Sequence, residues 1–384
     1  MCSLQQSRQY RYQIEFNSVS STYGQVVMKA LILAINPGST STKIALFDGH
    51  HQLFAISIRH SSEALSQFKK IAEQFDFRKE AILHSLKENG IDIDKVAIIM
   101  ARGGLLKPIA SGVYEINSRM LEDLKVGVGG EHASNLGGLI AHSLGKEIEG
   151  CRTFIADPVV VDELQPVARI TGHPLFPRRS IFHALNQKSV AKSYAVSINR
   201  EYNSLNLIVA HLGGGISIGV HSGGEVIDVN NALDGEGPFS PERAGSLPAY
   251  DLAKLCFSGE YTLEEVRKML IGHGGLVAHL GTNSFIEVTQ RVQNGDQEAT
   301  LISDAFAYNV AKAIGAAATV LHGKVDAILL TGGVAFNKVV VDQIVERVSF
   351  IAEVKIFPGE NEMYALAMNG LDLLNGRVEP IEYR

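Results

Sequence analysis

A hairpin near the start of the chain constrains the fold more than any other stretch. An apolar run ends at Asn36, followed by Pro-Gly, four hydroxyl residues and Lys43, and a second apolar run closes on Asp48. This order predicts a strand, a tight turn and a second strand. Glycine permits close backbone approach, while the hydroxyl groups and the lysine can contact an anion. The tip therefore fits a phosphate, although an ordinary Ser/Thr-rich turn explains these residues equally well when they are taken alone.

The same design recurs in the second half of the chain. Residues 207–228 hold an apolar strand that ends at His211, a Gly-Gly-Gly turn, a short strand and a Gly-Gly reversal. A third apolar strand, in residues 327–337, also ends in two glycines. The nucleotide-binding pattern G-x-x-x-x-G-K-[ST] is absent, so neither hairpin is a P-loop. The recurrence favours a ligand-binding role over an ordinary turn.

Composition narrows the class of protein. The chain has 384 residues, of which 46% are hydrophobic and 20% charged, so two globular domains with separate cores are expected. A net charge of −6 argues against a nucleic-acid partner. No apolar run reaches the roughly 18 residues that span a bilayer, so no membrane partner is expected. The cysteines have no zinc or C-x-x-C spacing, which favours the reducing cytoplasm: Cys2, Cys151 and Cys256.

The first 27 residues are the least interpretable part of the chain. They are polar, rich in Ser and Gln, and lack the apolar centre of a secretory signal. Arg8 and Arg11 resemble features of a transit peptide, but Met28 stands just before the first strand. We expect residues 1–27 to be an extension that is disordered or precedes the native start.

Charged residues follow several predicted strands. Arg102 and two glycines follow the strand at 96–100, and Asp157 precedes a proline that ends the next one. We expect Asp157 to point into a cleft, and Arg102 to reach an anion or to form an ordinary surface ion pair. Arg243 lies in a Gly/Pro-rich loop of the kind that is usually functional in compact enzymes. Helical periodicity predicts one helix over residues 62–89.

In combination, nine motifs between Met28 and the C-terminus resemble the acetokinase family, in its butyrate-kinase branch: NPGSTSTK, ARGG, GEHASNLG, ADPVVVDE, RRSIFHALN, HLGGGISI, GPFSPERAG, GGLVAHLGTN and TGGVAFN. The resemblance implies an α/β fold of two duplicated ribonuclease H-like (actin-like ATPase) domains. Each would be a mixed sheet flanked by helices, with a cleft between the two. The expected domains are 28–157 with 363–384, and 158–362.

The resemblance also implies a set of site residues. The positions that match the family's catalytic residues are Arg102, His132, Asp157, His183 and Arg243. The positions expected to bind ATP or ADP are Ser39, Ser41, Lys43, His211, Gly213, Gly214, Gly215, Gly275, Gly332, Gly333 and Asn337. Asn36 and Glu362 are expected at the Mg²⁺ site, with Glu360 as a close competitor. A homodimer or a higher homo-oligomer is expected.

The implied reaction is reversible phosphoryl transfer from ATP to butyrate, giving butyryl phosphate and ADP. Acetate, propionate or isobutyrate are alternative substrates, and an actin-like or Hsp70-like ATPase without acyl transfer is the competing class. A carboxylic acid is ionised at pH 7 and needs no general base. Charge repulsion is the obstacle instead, which suits Arg102, Arg243 and Mg²⁺.

Chain-length preference is expected to depend on Gly104. The acetate-using branch has a branched apolar residue two positions after the strand-end arginine, and glycine there leaves room for roughly two more methylenes. The alternative is that Gly104 supplies an unusual backbone angle.

Overall fold

The computed structural model describes residues 30–384, so the predicted extension at 1–27 lies outside the described residues. The strands of this part are β1 (Leu31–Pro37), β2 (Ser41–Asp48), β3 (His51–Arg59), β4 (Val96–Arg102), β5 (Val113–Glu115), β6 (Arg152–Ala156), β7 (Leu207–Leu212), β8 (Ile216–Ser222), β9 (Glu225–Val229), β10 (Ala327–Gly332), β11 (Val354–Pro358) and β12 (Ile381–Glu382).

The helices of the described residues are α1 (Ser62–Ser66), α2 (Phe75–Glu88), α3 (Ser118–Val126), α4 (Asn135–Gly145), α5 (Ala184–Ser197), α6 (Ala249–Cys256), α7 (Leu263–Leu270), α8 (Gly275–Leu280), α9 (Phe285–Gln293), α10 (Gln297–Val320), α11 (Lys338–Val348) and α12 (Glu362–Leu374). None of them combines the length and apolarity that crossing a bilayer demands.

The strands form two sheets built on one plan. The first has the order β12-β5-β6-β4-β1-β2-β3, and the second has the order β11-β10-β7-β8-β9. In each sheet a three-stranded antiparallel meander begins at an interior strand, β1 or β7, whose other neighbour, β4 or β10, is parallel to it. The predicted α/β class with two duplicated mixed sheets is therefore confirmed.

Helices cover both faces of each sheet, which explains why the interior strands β1 and β7 are buried and mostly apolar. Helices α2, α3 and α4 pack on one face of the first sheet, and α8 to α11 pack on one face of the second. Between the sheets lie α12, which packs on the first sheet, and α5, which packs on the second and also contacts α12. The chain passes from the second sheet to the first at residues 358–362, where Gly359 pairs with Gly332 at the end of β10 and Glu362 contacts Asn36 in β1.

The prediction of one helix over residues 62–89 is wrong. Helix α1 ends at Ser66, and α2 begins only at Phe75 after a 3₁₀ turn at 71–74. The side chain of Glu73 accepts hydrogen bonds from the backbone N–H groups of Lys69 and Lys70, which starts a new turn. The apolar residues keep a helical period through this break, so the periodicity did not predict it. The domain boundaries stay a prediction.

Candidate active site

The tip of the first hairpin is held by a buried arginine. The N–H of Gly38 donates to the carbonyl of Ser41 across the turn at 2.7 Å. Arg78 of α2 is fully buried and donates to the carbonyl oxygens of Gly38 (2.9 Å), Ser39 (3.0 Å) and Ser41 (3.1 Å), and to Oγ1 of Thr42 (3.0 Å). One guanidinium therefore fixes the backbone of the predicted phosphate loop.

Sequence reasoning missed Arg78, although a signal existed. Within α2 it lies four and eight residues before Ile82 and Leu86, both of which are buried, so all three share one helix face. An arginine on the apolar stripe of a helix must pair its donors inside the protein. The turn carbonyls of the hairpin are the acceptors that it finds.

Beside this loop, the crossing segment brings two glutamates to the ends of β1 and β4. Nδ2 of Asn36 donates to Oε2 of Glu362 at 2.5 Å, and Nη1 of Arg102 lies 3.2 Å from Oε1 of the same carboxylate. Nζ of Lys43 lies 4.0 Å from Oε2 of Glu360. Burial, and then the neighbouring Glu362, raise the pKa of Glu360. The structure therefore brings together Asn36, Lys43, Arg102 and both candidate metal-site glutamates.

Two predicted histidines form a stacked pair. The rings of His183, at the start of α5, and His211, in β7, lie 3.7 Å apart at an angle of 8°. Burial, and then the charges of Arg102 and Arg243, lower the pKa of His211 to about 3. Burial also lowers the pKa of His183 well below its usual range. Both imidazoles are consequently neutral at pH 7.

A small cavity of about 100 Å³ lies next to this pair. Its polar lining consists of Arg102, His132, His183 and Arg243, four of the five predicted catalytic residues. Arg243 donates to the backbone carbonyl of Ala232, and burial lowers its pKa. Burial, together with Arg102 and Arg243, lowers the pKa of His132 as well. The polar side chains of the lining thus comprise two cations and two neutral imidazoles.

The rest of the cavity wall is apolar, and sequence reasoning did not find it. The wall consists of Leu105, Val159, Ile181, Phe182, Ala232 and Leu233. These residues come from four separate loops, each next to a motif that was recognised for its polar residue. In the sequence, this wall is indicated only by the apolar residues that flank the polar positions of those motifs.

A larger cleft, of about 960 Å³, lies on the second half of the chain. The predicted nucleotide residues that line it are Gly213, Gly214, Gly333 and Asn337. Glu360 also lines it, which places the cleft beside the two glutamates. Its other lining residues come from the 241–242 loop, α9 and the start of α11: Pro241, Glu242, Asn283, Ser284, Phe285, Ile286, Thr289, Gln290, Val334, Phe336, Lys338 and Val339.

Asp157, Gly275 and Gly332 are among the predicted residues that lie outside both linings. Oδ1 of Asp157 accepts hydrogen bonds from Oγ of Ser111 (2.6 Å) and the N–H of Gly112 (2.9 Å), so this oxygen holds a turn. At Gly275 a side chain would collide with backbone oxygens of the arginine loop, and at Gly332 with the backbone of β7. Both glycines have positive φ and allow segments to pack closely. Their predicted roles at the nucleotide stay predictions.

The proposed pocket role of Gly104 is wrong. A Cβ at this position would lie 2.5 Å from Oδ1 of Asn135, 2.6 Å from its Cα and 2.8 Å from Leu124, in the helix packing rather than in the cavity. Gly104 is not among the residues with positive φ, so the backbone-angle alternative is also wrong. Glycine is required here because α4 packs against it. The cavity is instead bordered by the next residue, Leu105.

Comparison with known proteins identifies the family. The chain is 54% identical over 357 residues to Butyrate kinase 2 of Clostridium acetobutylicum, a match that covers 93% of this chain and 100% of that protein. The sequence profile described as the acetokinase family matches residues 167–368. The chain belongs to the acetokinase family. The family resemblance drawn from the motifs is thus confirmed.

Solved structures of other acetokinase-type enzymes share this fold. Acetate kinase of Porphyromonas gingivalis superimposes with a TM-score of 0.74 at 18% identity, covering 90% of this chain and 100% of that one. A propionate kinase from Francisella tularensis superimposes with a TM-score of 0.70 at 21% identity, covering 88% and 98%. At such identities the likeness concerns the fold alone, which is that of the actin-like ATPases.

Proposed function

We propose that this acetokinase-family chain transfers the γ-phosphoryl group of ATP to butyrate, giving butyryl phosphate and ADP in a reversible reaction. Membership of the family makes the chain a carboxylate kinase, and the butyrate assignment is our proposal. The observation that carries it is the small cavity, whose lining combines two arginines with apolar side chains. A short carboxylate with an alkyl tail matches both kinds of lining residue.

The chemistry of the lining favours an acid over an alcohol as the phosphoryl acceptor. An alcohol needs a general base to remove its proton, whereas a carboxylate is already ionised at pH 7. Among the residues described as lining the small cavity, none is acidic. Arg102 and Arg243 in the lining supply the cationic partners that a carboxylate needs as it approaches the phosphoryl group.

In the proposed mechanism, a carboxylate oxygen attacks the γ-phosphorus as the bond to the β-phosphate oxygen breaks, and ADP leaves. Arg102 and Arg243 offset the repulsion between the carboxylate and the phosphoryl oxygens, since both line the cavity. The buried Arg78 holds the first phosphate loop, and the Gly-rich turn at 213–215 holds the nucleotide from the other side. The apolar wall excludes water, which would otherwise hydrolyse the acyl phosphate.

We propose that Mg²⁺ binds at Asn36 and Glu362, with Glu360 as the competing ligand. Among residues 30–384, no cluster of three metal-ligating side chains is found. This fits Mg²⁺, which typically takes one or two carboxylates and completes its shell with water and phosphate oxygens. When bound, the ion supplies charge neutralisation of the phosphates. Mg²⁺ titrations of Glu362→Gln and Glu360→Gln show which of the two glutamates binds the ion. The variant that lacks the true ligand needs more Mg²⁺ for half-maximal activity.

We propose domains of 28–157 with 363–384, and 158–362, that close around the nucleotide. The packing of α12 on the first sheet supports the discontinuous first domain. Small-angle scattering should give a smaller radius of gyration with an ATP analogue, Mg²⁺ and butyrate. An unchanged radius in that complex contradicts closure.

We further propose a homo-oligomer that works in the cytoplasm. Helix α6 has no buried residue, and Tyr250, Phe257 and Leu263 expose 76%, 91% and 85% of their surface around it. Such an apolar patch suits a second copy of the chain. Light scattering tests the assembly, and a monomer at micromolar concentration contradicts it.

A hydroxylamine trap tests the proposed activity. With ATP, Mg²⁺ and butyrate, the product should yield butyryl hydroxamate in proportion to the ADP formed. Parallel reactions with acetate, propionate and isobutyrate rank the acids by kcat/KM. ADP formation without any hydroxamate favours the ATPase class, and a higher kcat/KM for another acid overturns the butyrate assignment.

A further inference from the structure

A chain of hydrogen bonds runs through the protein interior to His183. The hydroxyl of Tyr202 lies 2.8 Å from Nδ1 of His221, whose Nε2 lies 3.0 Å from Oε1 of Gln187. Nε2 of Gln187 lies 2.8 Å from Oγ of Ser217, which in turn lies 2.8 Å from Nδ1 of His183. The three middle members are completely buried. Each of their protons therefore needs a partner within the chain.

One hydrogen bond fixes which atoms donate and which accept along this series. Nε2 of Gln187 also lies 3.0 Å from the backbone carbonyl of Ser217, and a carbonyl oxygen only accepts. The amide nitrogen of Gln187 thus faces Ser217 and donates to its Oγ as well. The backbone N–H of His183 also donates to this Oγ, at 3.5 Å, so both lone pairs of the Ser217 hydroxyl are occupied and its proton is directed to Nδ1 of His183. His183 consequently accepts at Nδ1, and as a neutral imidazole it carries its proton on Nε2.

The stacked partner is held the opposite way. Nδ2 of Asn186 donates to the backbone carbonyl of Glu360 at 2.7 Å, so its Oδ1 faces Nδ1 of His211, 2.7 Å away. That oxygen accepts, so Nδ1 of His211 carries the proton. Nε2 of His211 is buried and has no hydrogen-bond partner among the described residues. The two adjacent rings thus carry their protons on different nitrogens.

We propose that Gln187, acting through Ser217, is a positioning residue that fixes His183 as the Nε2–H tautomer, while Asn186 fixes His211 as the Nδ1–H tautomer. His183 lines the small cavity, so this arrangement offers the transferring phosphoryl group a neutral hydrogen-bond donor. The catalytic consequence, although not the tautomers themselves, rests on the proposed function. The depressed pKa values of the histidines agree with neutral rings.

Nitrogen-15 NMR of histidine-labelled protein tests the tautomers directly. The resonances are assigned with His183→Gln and His211→Gln. At pH 7 we expect a protonated Nε2 and an unprotonated Nδ1 for His183, and the reverse for His211. A protonated Nδ1 on His183, a doubly protonated ring or identical tautomers on both residues overturns the proposal. This readout does not require activity, so it is independent of the identity of the acid.

The positioning role is tested by Gln187→Glu, which keeps the shape but replaces the amide donor with a carboxyl group. Once ionised, the new carboxylate accepts from Ser217, whose Oγ then accepts from Nδ1 of His183. We expect the Nδ1–H fraction of His183 to rise with pH and kcat to fall in parallel by about 10²-fold, with a smaller change in KM for ATP. Tyr202→Phe, two hydrogen bonds away from Gln187 on the side opposite His183, is the matched control and should leave the tautomer of His183 unchanged.

A second variant, Gln187→Met, removes both donor and acceptor at similar volume and should make His183 exchange between tautomers. If neither Gln187→Glu nor Gln187→Met changes the nitrogen shifts of His183, Gln187 is not a positioning residue. If the shifts change as expected but butyryl hydroxamate never forms, the proposed function fails and the tautomer assignment stands.

Discussion

Acid should destabilise this protein well above the pH at which its buried histidines titrate in the folded state. His211 and His221 are at most 1% exposed. Burial, followed by nearby cations, lowers the pKa of each to about 3. In the unfolded chain a histidine titrates near pH 6.5. Between these values the unfolded state binds more protons than the folded state, so stability is fully present above about pH 6.5 and is lost as the pH falls.

The size of the effect follows from this difference. At pH 5 an unfolded histidine is almost fully protonated, while a folded one with a pKa of about 3 is almost fully neutral. Each such residue then lowers the free energy of unfolding by about 2 kcal/mol between pH 7 and pH 5. The two together account for about 4 kcal/mol, a large part of the 5–15 kcal/mol that is typical of proteins.

Urea unfolding followed by circular dichroism at pH 7 and pH 5 measures the loss. His221→Gln removes one of the two histidines, so its loss should be smaller than that of the wild type by about 2 kcal/mol. His50→Gln, at an exposed turn, is the reference for removing a histidine from the surface. If His221→Gln loses as much stability as the wild type, His221 is not a buried neutral imidazole.

Substitutions at three further residues test separate parts of the account. Arg243→Ala should lower kcat by about 10³-fold with less effect on nucleotide affinity. Arg243→Lys should restore only part of the lost activity, since a point charge replaces a planar guanidinium fork. A fully active lysine variant would contradict the proposed role of Arg243. Arg78→Met should raise KM for ATP by about tenfold or more because the phosphate loop loses its donors, and an unchanged KM contradicts this. Gly104→Val should lower the free energy of unfolding by about 1–3 kcal/mol without changing the ratio of kcat/KM for butyrate and acetate, whereas a tenfold change would restore the pocket hypothesis.

Local patterns predicted much of the fold. The two hairpins were visible because an apolar run, a turn signal and a second apolar run occur within about twenty residues of each other. Local patterns did not show that α5 and α12 lie between the sheets, because this placement depends on contacts between segments far apart in sequence. The expectation that residues 363–384 join the first domain came from the family resemblance instead. Helix α12 lies at the end of the chain yet packs on β1, near its beginning. No periodicity encodes such a pairing.

The residues of the site likewise divide into those that local patterns predicted and those that they did not. Polar residues at strand ends, such as Arg102 and His211, were found because their surroundings are apolar or Gly-rich. Residues that act through contacts, such as Arg78 and Gln187, were missed because their partners lie on other elements. Asp157 shows the limit of strand-end reasoning: the proline indeed stops the strand, but the carboxylate turns towards Ser111 and Gly112.

The central claim is that a carboxylate oxygen of butyrate bonds to the γ-phosphorus of ATP, and not to the α-phosphorus. Butyrate labelled with oxygen-18 in both carboxyl positions tests this claim most directly, with hydroxylamine to cleave the acyl phosphate at its carbonyl carbon. Direct transfer leaves one oxygen-18 in the released phosphate, seen as a shifted phosphorus-31 resonance, with ADP as the other product. Oxygen-18 in AMP would indicate an acyl-adenylate, and unlabelled phosphate alone would indicate ATP hydrolysis; either result contradicts the account.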